Sequence, residues 1–155
     1  MGQLESSELM QLQVHGVVTD PNTDTQIVLL RGAQDCDFLP IWVGIAEGNS
    51  IRLALTGTPT PRPMSHDLIQ SMADHLGVKL THVAITDVKN NTYYATIYFM
   101  LQGTERHVDS RPSDAIALAL RTNRPIYVSR EVLRQRSGGN LDDWQEKLGV
   151  KNSEQ

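Results

Sequence analysis

The sequence has few cysteines, few aromatic residues and no long apolar run, and each of these absences excludes a class of protein. One cysteine, Cys36, in 155 residues excludes an intramolecular disulfide and a cysteine-cluster metal site. Aromatic residues make up 5% of the chain, so the core must be mainly aliphatic. No apolar run approaches the roughly 18 residues of a membrane-spanning helix, and the polar segment Met1–Gln11 lacks the apolar stretch of a signal peptide. We therefore expect a cytoplasmic protein that does not associate with membranes.

An excess of positive charge is also missing. Fourteen Lys and Arg residues against eighteen Asp and Glu residues give a net charge of −4, which excludes a broadly basic surface for nucleic acid. The distribution is uneven, because residues 1–50 carry one basic and seven acidic side chains, whereas residues 102–136 carry seven arginines and four acidic side chains. A polyanion would prefer the second region, although a solvated face of mixed charge explains the same distribution.

Strand and helix signals alternate along the chain. Alternating apolar residues predict strands at 12–18, 26–30, 38–43, 78–88, 93–101, 105–109 and 126–128. Helical spacing predicts helices at 46–55, 65–76, 114–120, 129–133 and 140–149. Pro40 indicates an edge strand or a bulge, and we interpret Cys36 as a strand residue. This order predicts an α+β fold with a mostly antiparallel sheet and packed helices.

The composition along the chain predicts a division into three segments. Residues 1–11 are expected to form a flexible tail, residues 12–136 the domain, and residues 137–155 a Gly-Gly joint followed by a short amphipathic helix. The domain shows signs of an internal pseudo-twofold repeat, since residues 51–55 match residues 116–120 at an offset of 65. Chance similarity between Ala- and Leu-rich helices is the alternative explanation.

Two arginine-bearing segments stand at predicted helix starts. We call residues 62–67 (RPMSHD) the first arginine turn. Arg62 could bind a phosphate, and His66 could transfer a proton near neutral pH. Asp67 would lie at the positive end of the helix dipole, which favours a negative side chain. The structural alternative is plain capping, in which Ser65 caps the helix, Asp67 offsets the dipole and Arg62 pairs with Asp67.

The second arginine turn, residues 109–114 (DSRPSD), uses the same residue types. Asp109 ends a strand and Asp114 opens a helix, so both carboxylates can converge on a hard divalent cation. The structural alternative is an ion pair from Arg111 to Asp109 or Asp114. Glu47, in the first apolar helix, is an acid at roughly the place that Asp114 occupies in the second half.

Four aromatic residues of one predicted strand add a further candidate. Their rings could stack on the bases of single-stranded nucleic acid, but strand alternation must turn about half of them into the core. They are Tyr93, Tyr94, Tyr98 and Phe99.

Longer runs resemble a known family. Residues 39–44 (LPIWVG), 62–69 (RPMSHDLI), 85–97 (ITDVKNNTYYATI) and above all 109–129 (DSRPSDAIALALRTNRPIYVS) are similar to the bifunctional nuclease domain. The resemblance covers about residues 12–133 and implies a compact α+β domain that self-associates, most often as a dimer. It also implies cleavage of both DNA and RNA.

The family motif falls on both arginine turns and on two further acids. Its positions in this chain are Glu47, Arg62, His66, Asp67, Asp87, Asp109, Arg111, Pro112, Ser113 and Asp114. Asn49 stands where the family often has another acid, and the chain ends after one short predicted helix instead of the helical hairpin of some bacterial members.

Two hypotheses therefore remain open. The first is a nuclease of low sequence preference that binds nucleic acid weakly. It assigns catalysis to His66, Asp67, Asp109 and Asp114, phosphate binding to Arg62, Arg111 and Ser113, and Mg²⁺ or Mn²⁺ binding to Glu47, Asp87 and Asp114. The second is a non-catalytic regulatory module that binds a ligand or protein and forms an oligomer through its proline connector and aliphatic helices.

Overall fold

A computed structural model describes residues 8–33 and 38–138, which form seven strands and four helices. The strands are β1 (Leu9–Thr19), β2 (Gln26–Arg31), β3 (Leu39–Val43), β4 (Val78–Lys89), β5 (Thr92–Leu101), β6 (Thr104–Ser110) and β7 (Ile126–Ser129). The helices are α1 (Ile45–Thr56), α2 (Ser65–His75), α3 (Pro112–Thr122) and α4 (Arg130–Arg136).

All seven strands belong to one sheet in the order β3-β2-β1-β7-β4-β5-β6. Every neighbouring pair is antiparallel except β4 and β7, which run parallel. The predicted α+β class with a mostly antiparallel sheet is confirmed. Two three-stranded meanders, each followed by a helix, flank β7, but this arrangement alone does not establish an internal repeat, which stays a prediction.

Local sequence explains most element boundaries. Asn90 and Asn91 have φ angles of 52° and 63°, which suit the tight hairpin predicted between β4 and β5. Pro40 lies in β3, an edge strand of the sheet, where a missing N–H removes no ladder bond. The Ser129 hydroxyl accepts a hydrogen bond from the Val132 N–H at 3.0 Å and caps α4, as the sequence predicts.

Some boundaries differ from expectation. Residues 9–11, which the sequence assigned to a flexible tail, belong to β1, where they pair with β7. Met64, not Ser65, occupies the N-cap of α2, and Ser65 is the first helical residue. Cys36, Gly139 and the helix expected at 140–149 lie outside the described residues. Within the described ranges, no helix has both the length and the apolar character needed to cross a membrane.

The sheet curls around α3, so that its two halves approach each other. The Tyr93 hydroxyl on β5 donates a hydrogen bond to the carbonyl oxygen of Pro40 on β3 at 3.3 Å, although four strands lie between β3 and β5 in the order of the sheet. Inside the curl, Ala115, Ile116, Ala117 and Ala119 of α3 are buried in an aliphatic core to which every strand except β6 contributes. We call the junction between β3 and the β4–β5 hairpin the seam.

A glycine brings α1 close to the sheet. A Cβ atom at Gly48 would lie 2.5 Å from the Cβ and Cγ atoms of Gln26 on β2, so only glycine permits this approach. The packing fixes the first turn of α1 beside the seam.

Candidate functional site

The first turns of α1, α2 and α3 each carry an acidic residue at the third helical position. These residues are Glu47, Asp67 and Asp114, and each is placed to offset the positive end of its helix dipole. Side-chain contacts join the three turns to one another. Together with His66, Ser50, Arg111 and Arg121, the three acids form what we call the polar network.

His66 lies at the centre of the polar network and is 7% exposed. Its Nε2 atom lies 2.8 Å from Asp114 Oδ1, and its Nδ1 atom lies 2.6 Å from the Ser50 hydroxyl oxygen. A carboxylate only accepts hydrogen bonds, so Nε2 carries a proton. Arg121 also donates to the Ser50 oxygen at 3.1 Å, so the Ser50 hydroxyl links His66 to Arg121. One imidazole therefore ties α2 to both α1 and α3.

Arg111 forms the outer end of the polar network. Its Nε and Nη2 atoms donate to the two carboxylate oxygens of Asp114 at 2.9 and 3.2 Å, and its Nη1 atom donates to Glu47 at 3.5 Å. Burial alone raises the pKa of Asp114, but hydrogen bonds from Arg111 and His66 outweigh it and bring that pKa below its ordinary value. The hydrogen bond to Asp114 raises the pKa of Arg111. The ion pair with Asp114 is one of the structural alternatives left open by the sequence.

Arg121 forms the inner end and is 8% exposed. It donates to Asp67 at 2.8 Å, to Ser50 at 3.1 Å and to the Ala117 carbonyl oxygen at 3.2 Å. The other Asp67 oxygen accepts from the Met64 backbone N–H at 2.8 Å. The hydrogen bond from Arg121, followed by that from Met64, lowers the pKa of Asp67. Asp67 thus has the capping role considered above, but its arginine partner is Arg121 and not Arg62.

A groove of about 340 Å³ opens beside Arg111 at the seam. The end of β3, the β4–β5 hairpin and the first turns of α1 and α3 form its walls. Glu47, Arg111, Trp42 and the buried Ser113 are among the lining residues, whereas His66 is not. The polar network therefore reaches this groove through Arg111 and Glu47.

Three predicted site residues lie apart from this cluster. Arg62 is exposed, and its side chain makes no hydrogen bond or ion pair with any described residue. Asp109 is an exposed residue of β6, where strand alternation directs it away from the face that carries Val108 and the helices. Asp87 accepts from the Val88 N–H at 2.8 Å and pairs with Lys89 at 3.5 Å. The structure therefore joins Glu47 to Arg111 and Asp114 but does not bring Asp87 or Asp109 to them.

The acids do not form a ready metal site. Across residues 8–33 and 38–138, no group of three or more His, Cys, Asp or Glu side chains is arranged to hold a metal ion. The guanidinium of Arg111 contacts both Glu47 and Asp114, and a cation bound there would have to displace that positive charge. The donor set of Glu47, Asp87 and Asp114 thus does not fit a divalent cation in this arrangement.

Strand alternation sorts the aromatic residues of β5 into two pairs. Tyr93 packs against the main core and Phe99 lines a groove beneath α2, whereas Tyr94 and Tyr98 lie on the opposite sheet face. There Tyr98 stacks on His82 with ring centroids 4.3 Å apart. Alternation thus divides the four rings between the two faces as expected, but Tyr93 is the one ring of the four that packs against the main core.

Sequence reasoning missed Ser50, Arg121 and Trp42. The signal for Arg121 was available, because it lies seven residues after Asp114 and therefore on the same face of α3 two turns later. Ser50 gave a weaker signal, as a small polar residue in an otherwise apolar helix. Trp42 is 49% exposed in a strand whose other members are buried, a contrast that the sequence alone does not reveal.

Comparison with known proteins agrees with the resemblance noted from the sequence. The family model described as the bifunctional nuclease domain matches residues 28–139. An uncharacterized protein of Mycobacterium tuberculosis is 38% identical over 125 residues, which cover 81% of this chain and 74% of the relative.

Plant relatives carry the family name. "Bifunctional nuclease 1" of Oryza sativa subsp. japonica is 32% identical over 97 residues, or 61% of this chain and 29% of the relative. "Bifunctional nuclease 2" of Arabidopsis thaliana is 30% identical over 115 residues, or 71% of this chain and 35% of the relative. This chain therefore spans about a third of the plant proteins that it matches. On the extent of the family match, the chain belongs to the bifunctional nuclease domain family.

Proposed function

We propose that this chain is a nuclease that hydrolyses the phosphodiester bonds of DNA and RNA with low sequence preference. The observation that carries the proposal is the groove at the seam, where an exposed guanidinium and a carboxylate face each other. The name of the plant relatives supports the same reaction class. The backbone phosphate is common to DNA and RNA, so a site built to grip phosphate accepts both.

Arg111 is the phosphate-binding residue in this proposal. Its side chain is 64% exposed, and its contact with Glu47, at 3.5 Å, is the longest of its three. A guanidinium has five N–H donors in a planar fork, so Arg111 can hold Asp114 with one edge and offer the other to a phosphate. Binding of a phosphate would thus replace the weak contact with Glu47.

Glu47 is the general base once Arg111 has turned to the phosphate. Its carboxylate takes a proton from a water molecule, and the water oxygen forms the new bond to phosphorus. The bond from phosphorus to the leaving sugar oxygen breaks, and that oxygen takes a proton from the solvent that fills the open groove. Arg111 offsets the charge that develops on the phosphoryl oxygens.

The remaining members of the polar network are positioning residues. Asp114 holds Arg111 through two hydrogen bonds, and His66 fixes Asp114 from behind. Ser50 and Arg121 in turn orient His66 and Asp67. The catalytic roles first suggested for His66, Asp67 and Asp114 are in this way replaced by indirect ones, and Asp109 has no role at the groove.

Cleavage by matched acid variants tests the proposal. Glu47→Gln is expected to slow hydrolysis of labelled single-stranded DNA and RNA about 100-fold, the usual loss for a general base. Asp109→Asn is the control, because Asp109 is also an exposed acid of the family motif but lies away from the groove. If the two variants cleave at the same rate as the unmodified chain after identical purification, the activity comes from elsewhere and the proposal fails.

The expected Mg²⁺ or Mn²⁺ stays a prediction. Titration with a chelator followed by each metal tests it in the same assay. Activity that disappears with the chelator and returns with Mg²⁺ would require Arg111 to release Glu47 or Asp114 to the cation. Activity that is insensitive to the chelator agrees with proton transfer to Glu47 alone.

A specific observation also favours self-association, the second part of the partner prediction. Four large apolar side chains project into solvent from α2 and its C-cap residue: Leu68, Ile69, Met72 and Leu76, each 47–69% exposed. Three of them recur every fourth residue and form a stripe that can pack against the same stripe of a second copy. We expect Met72→Glu to convert a dimer into a monomer, as measured by light scattering after gel filtration. A chain that is monomeric before the substitution would contradict this expectation.

A further inference from the structure

The groove at the seam has a lining residue that the proposed cleavage does not use, Trp42. Large apolar side chains in strands are usually buried, and the other four residues of β3 are. Trp42 is instead 49% exposed and lines the same groove as Arg111 and Glu47. An exposed indole beside an exposed guanidinium is a pairing that suits a nucleotide, whose base stacks on the ring while its phosphate meets the cation.

Charge at the groove is compatible with a phosphate ligand despite the negative net charge of the chain. Glu47 is the one acid among the residues that line it, and Arg111 lies opposite. At the hairpin end, Asn91 accepts a hydrogen bond from Arg136 at 2.8 Å, which brings a second guanidinium close to the lining. The Asn91 amide nitrogen is left to donate to a base edge. Because Asp114 lies directly behind Arg111, the groove is flanked by two guanidinium groups and two carboxylates, and its local charge is balanced.

The dimensions of the groove decide between a single strand and a duplex. Its volume of about 340 Å³ is near the lower end of the range for small-ligand pockets and suits one nucleotide. Bases in a duplex are paired and stacked on one another, so none can lie flat on Trp42 without being extruded at a cost. An unpaired base meets no such cost.

We propose that Trp42 is a stacking platform for an unpaired nucleobase, which makes single-stranded DNA or RNA the preferred substrate of the groove. The proposal rests on the nuclease function only in naming nucleic acid as the occupant. Arg111 then binds the phosphate next to the stacked base. Preference for a single strand arises from the accessibility of the base and not from reading its identity.

Equilibrium binding tests the proposal without depending on cleavage. The Glu47→Gln chain serves as the background for every measurement, and the probes are a fluorescein-labelled 12-residue oligodeoxythymidine and the same strand annealed to oligodeoxyadenosine. We expect the single strand to bind at least about fivefold more tightly than the duplex, as judged by fluorescence anisotropy. Trp42→Ala should weaken single-strand binding about tenfold, whereas Trp42→Phe should retain most of the affinity.

A matched control separates stacking from a general effect of removing a ring. Tyr94 is also a half-exposed aromatic residue of a strand, but it is not among the residues that line the groove. Tyr94→Ala is expected to leave both affinities unchanged. Equal binding of single strand and duplex overturns the proposal, as does a Trp42→Ala variant that behaves like Tyr94→Ala or loses both affinities equally.

Failure of the nuclease proposal gives a different pattern. In that case the unmodified chain cleaves neither probe, while the dependence of single-strand binding on Trp42 persists. Circular dichroism shows whether Trp42→Ala folds. If it does not, the relative affinity of the Glu47→Gln chain, which keeps Trp42, for single strand and duplex still decides the outcome.

Discussion

The two arginine turns use the same residue types but arrive at different structures. In the second turn, Arg111 occupies the N-cap of α3 and Asp114 follows three residues later, so the arginine folds back onto the acid. In the first turn, Arg62 precedes the N-cap residue Met64 by two positions, and Asp67 is five residues away. The first arginine therefore extends into solvent while the second joins a network. The position of a residue relative to the helix start decides its role more than its neighbours in sequence do.

His66 and Arg121 connect the two turns. His66, from the first turn, bonds to Asp114 of the second, and Arg121, from the far end of α3, takes the place at Asp67 that Arg62 does not reach. The loss of stability on substituting a member of the polar network thus measures how much the network depends on that residue.

The largest effect is expected at Arg121. Arg121→Met should lower the free energy of unfolding by about 3 kcal/mol, because it removes the buried guanidinium that holds both Asp67 and Ser50. Chemical denaturation measures the change. Arg124→Met is the matched control, since Arg124 is exposed nearby in sequence. Equal stability of the two variants would mean that the first turn is held by something other than Arg121.

A smaller loss is expected at Asp114. Asp114→Asn should lower the free energy of unfolding by about 2 kcal/mol, because the hydrogen bonds from Arg111 and His66 lose their charged acceptor. Asp109→Asn, in the exposed part of β6, should change stability little. The same denaturation experiment compares them, and an Asp109 variant that loses as much as the Asp114 variant would contradict the separation of the two acids.

Acid is expected to weaken both turns together. The pKa values of folded Asp67 and Asp114 lie below their ordinary values, so the unfolded chain binds protons more readily than the folded one. The stabilisation they supply is complete above a pH of about 4 and is lost as the pH falls through the lower folded values. The stability gap between the unmodified chain and the double variant Asp67→Asn/Asp114→Asn should therefore narrow below that pH. A gap that widens in acid would reverse the sign of this linkage.

The smallest effects on stability are expected for substitutions of Arg62 and Arg111. Arg62→Ala is expected to change the free energy of unfolding by less than about 0.5 kcal/mol, as for an ordinary surface residue. Arg111→Ala should cost about 1 kcal/mol, since its ion pairs are largely exposed. A reversed order in denaturant midpoints would contradict the contrast between the turns.

Much of the fold could be predicted from local signals. Turn residues such as Asn90 and Asn91, the capping residue Ser129 and the proline in β3 mark element boundaries through backbone geometry, which depends on few neighbours. The parallel pairing of β4 with β7 and the curl that brings Tyr93 to Pro40 depend on packing across the whole chain. No local pattern encodes them.

The candidate site was predictable only in part, for the same reason. His66, Arg111, Asp114 and Glu47 were found because each stands at a helix start with a recognisable residue pattern. Asp87 was grouped with them through the family resemblance, and Asp109 through its predicted place at the end of a strand, but sheet geometry directs both elsewhere. Ser50 and Arg121 became visible only when three helices were placed together.

Cleavage by the two arginine variants tests the central claim most directly. The rate of hydrolysis of a labelled single strand should fall about 100-fold in Arg111→Ala, which removes the donors for the phosphate, and stay unchanged in Arg62→Ala. Both variants are expected to remain folded, so the rates are comparable. Equal rates in the two variants, or a greater loss in Arg62→Ala, would show that the groove beside Arg111 is not where the phosphodiester bond is cut.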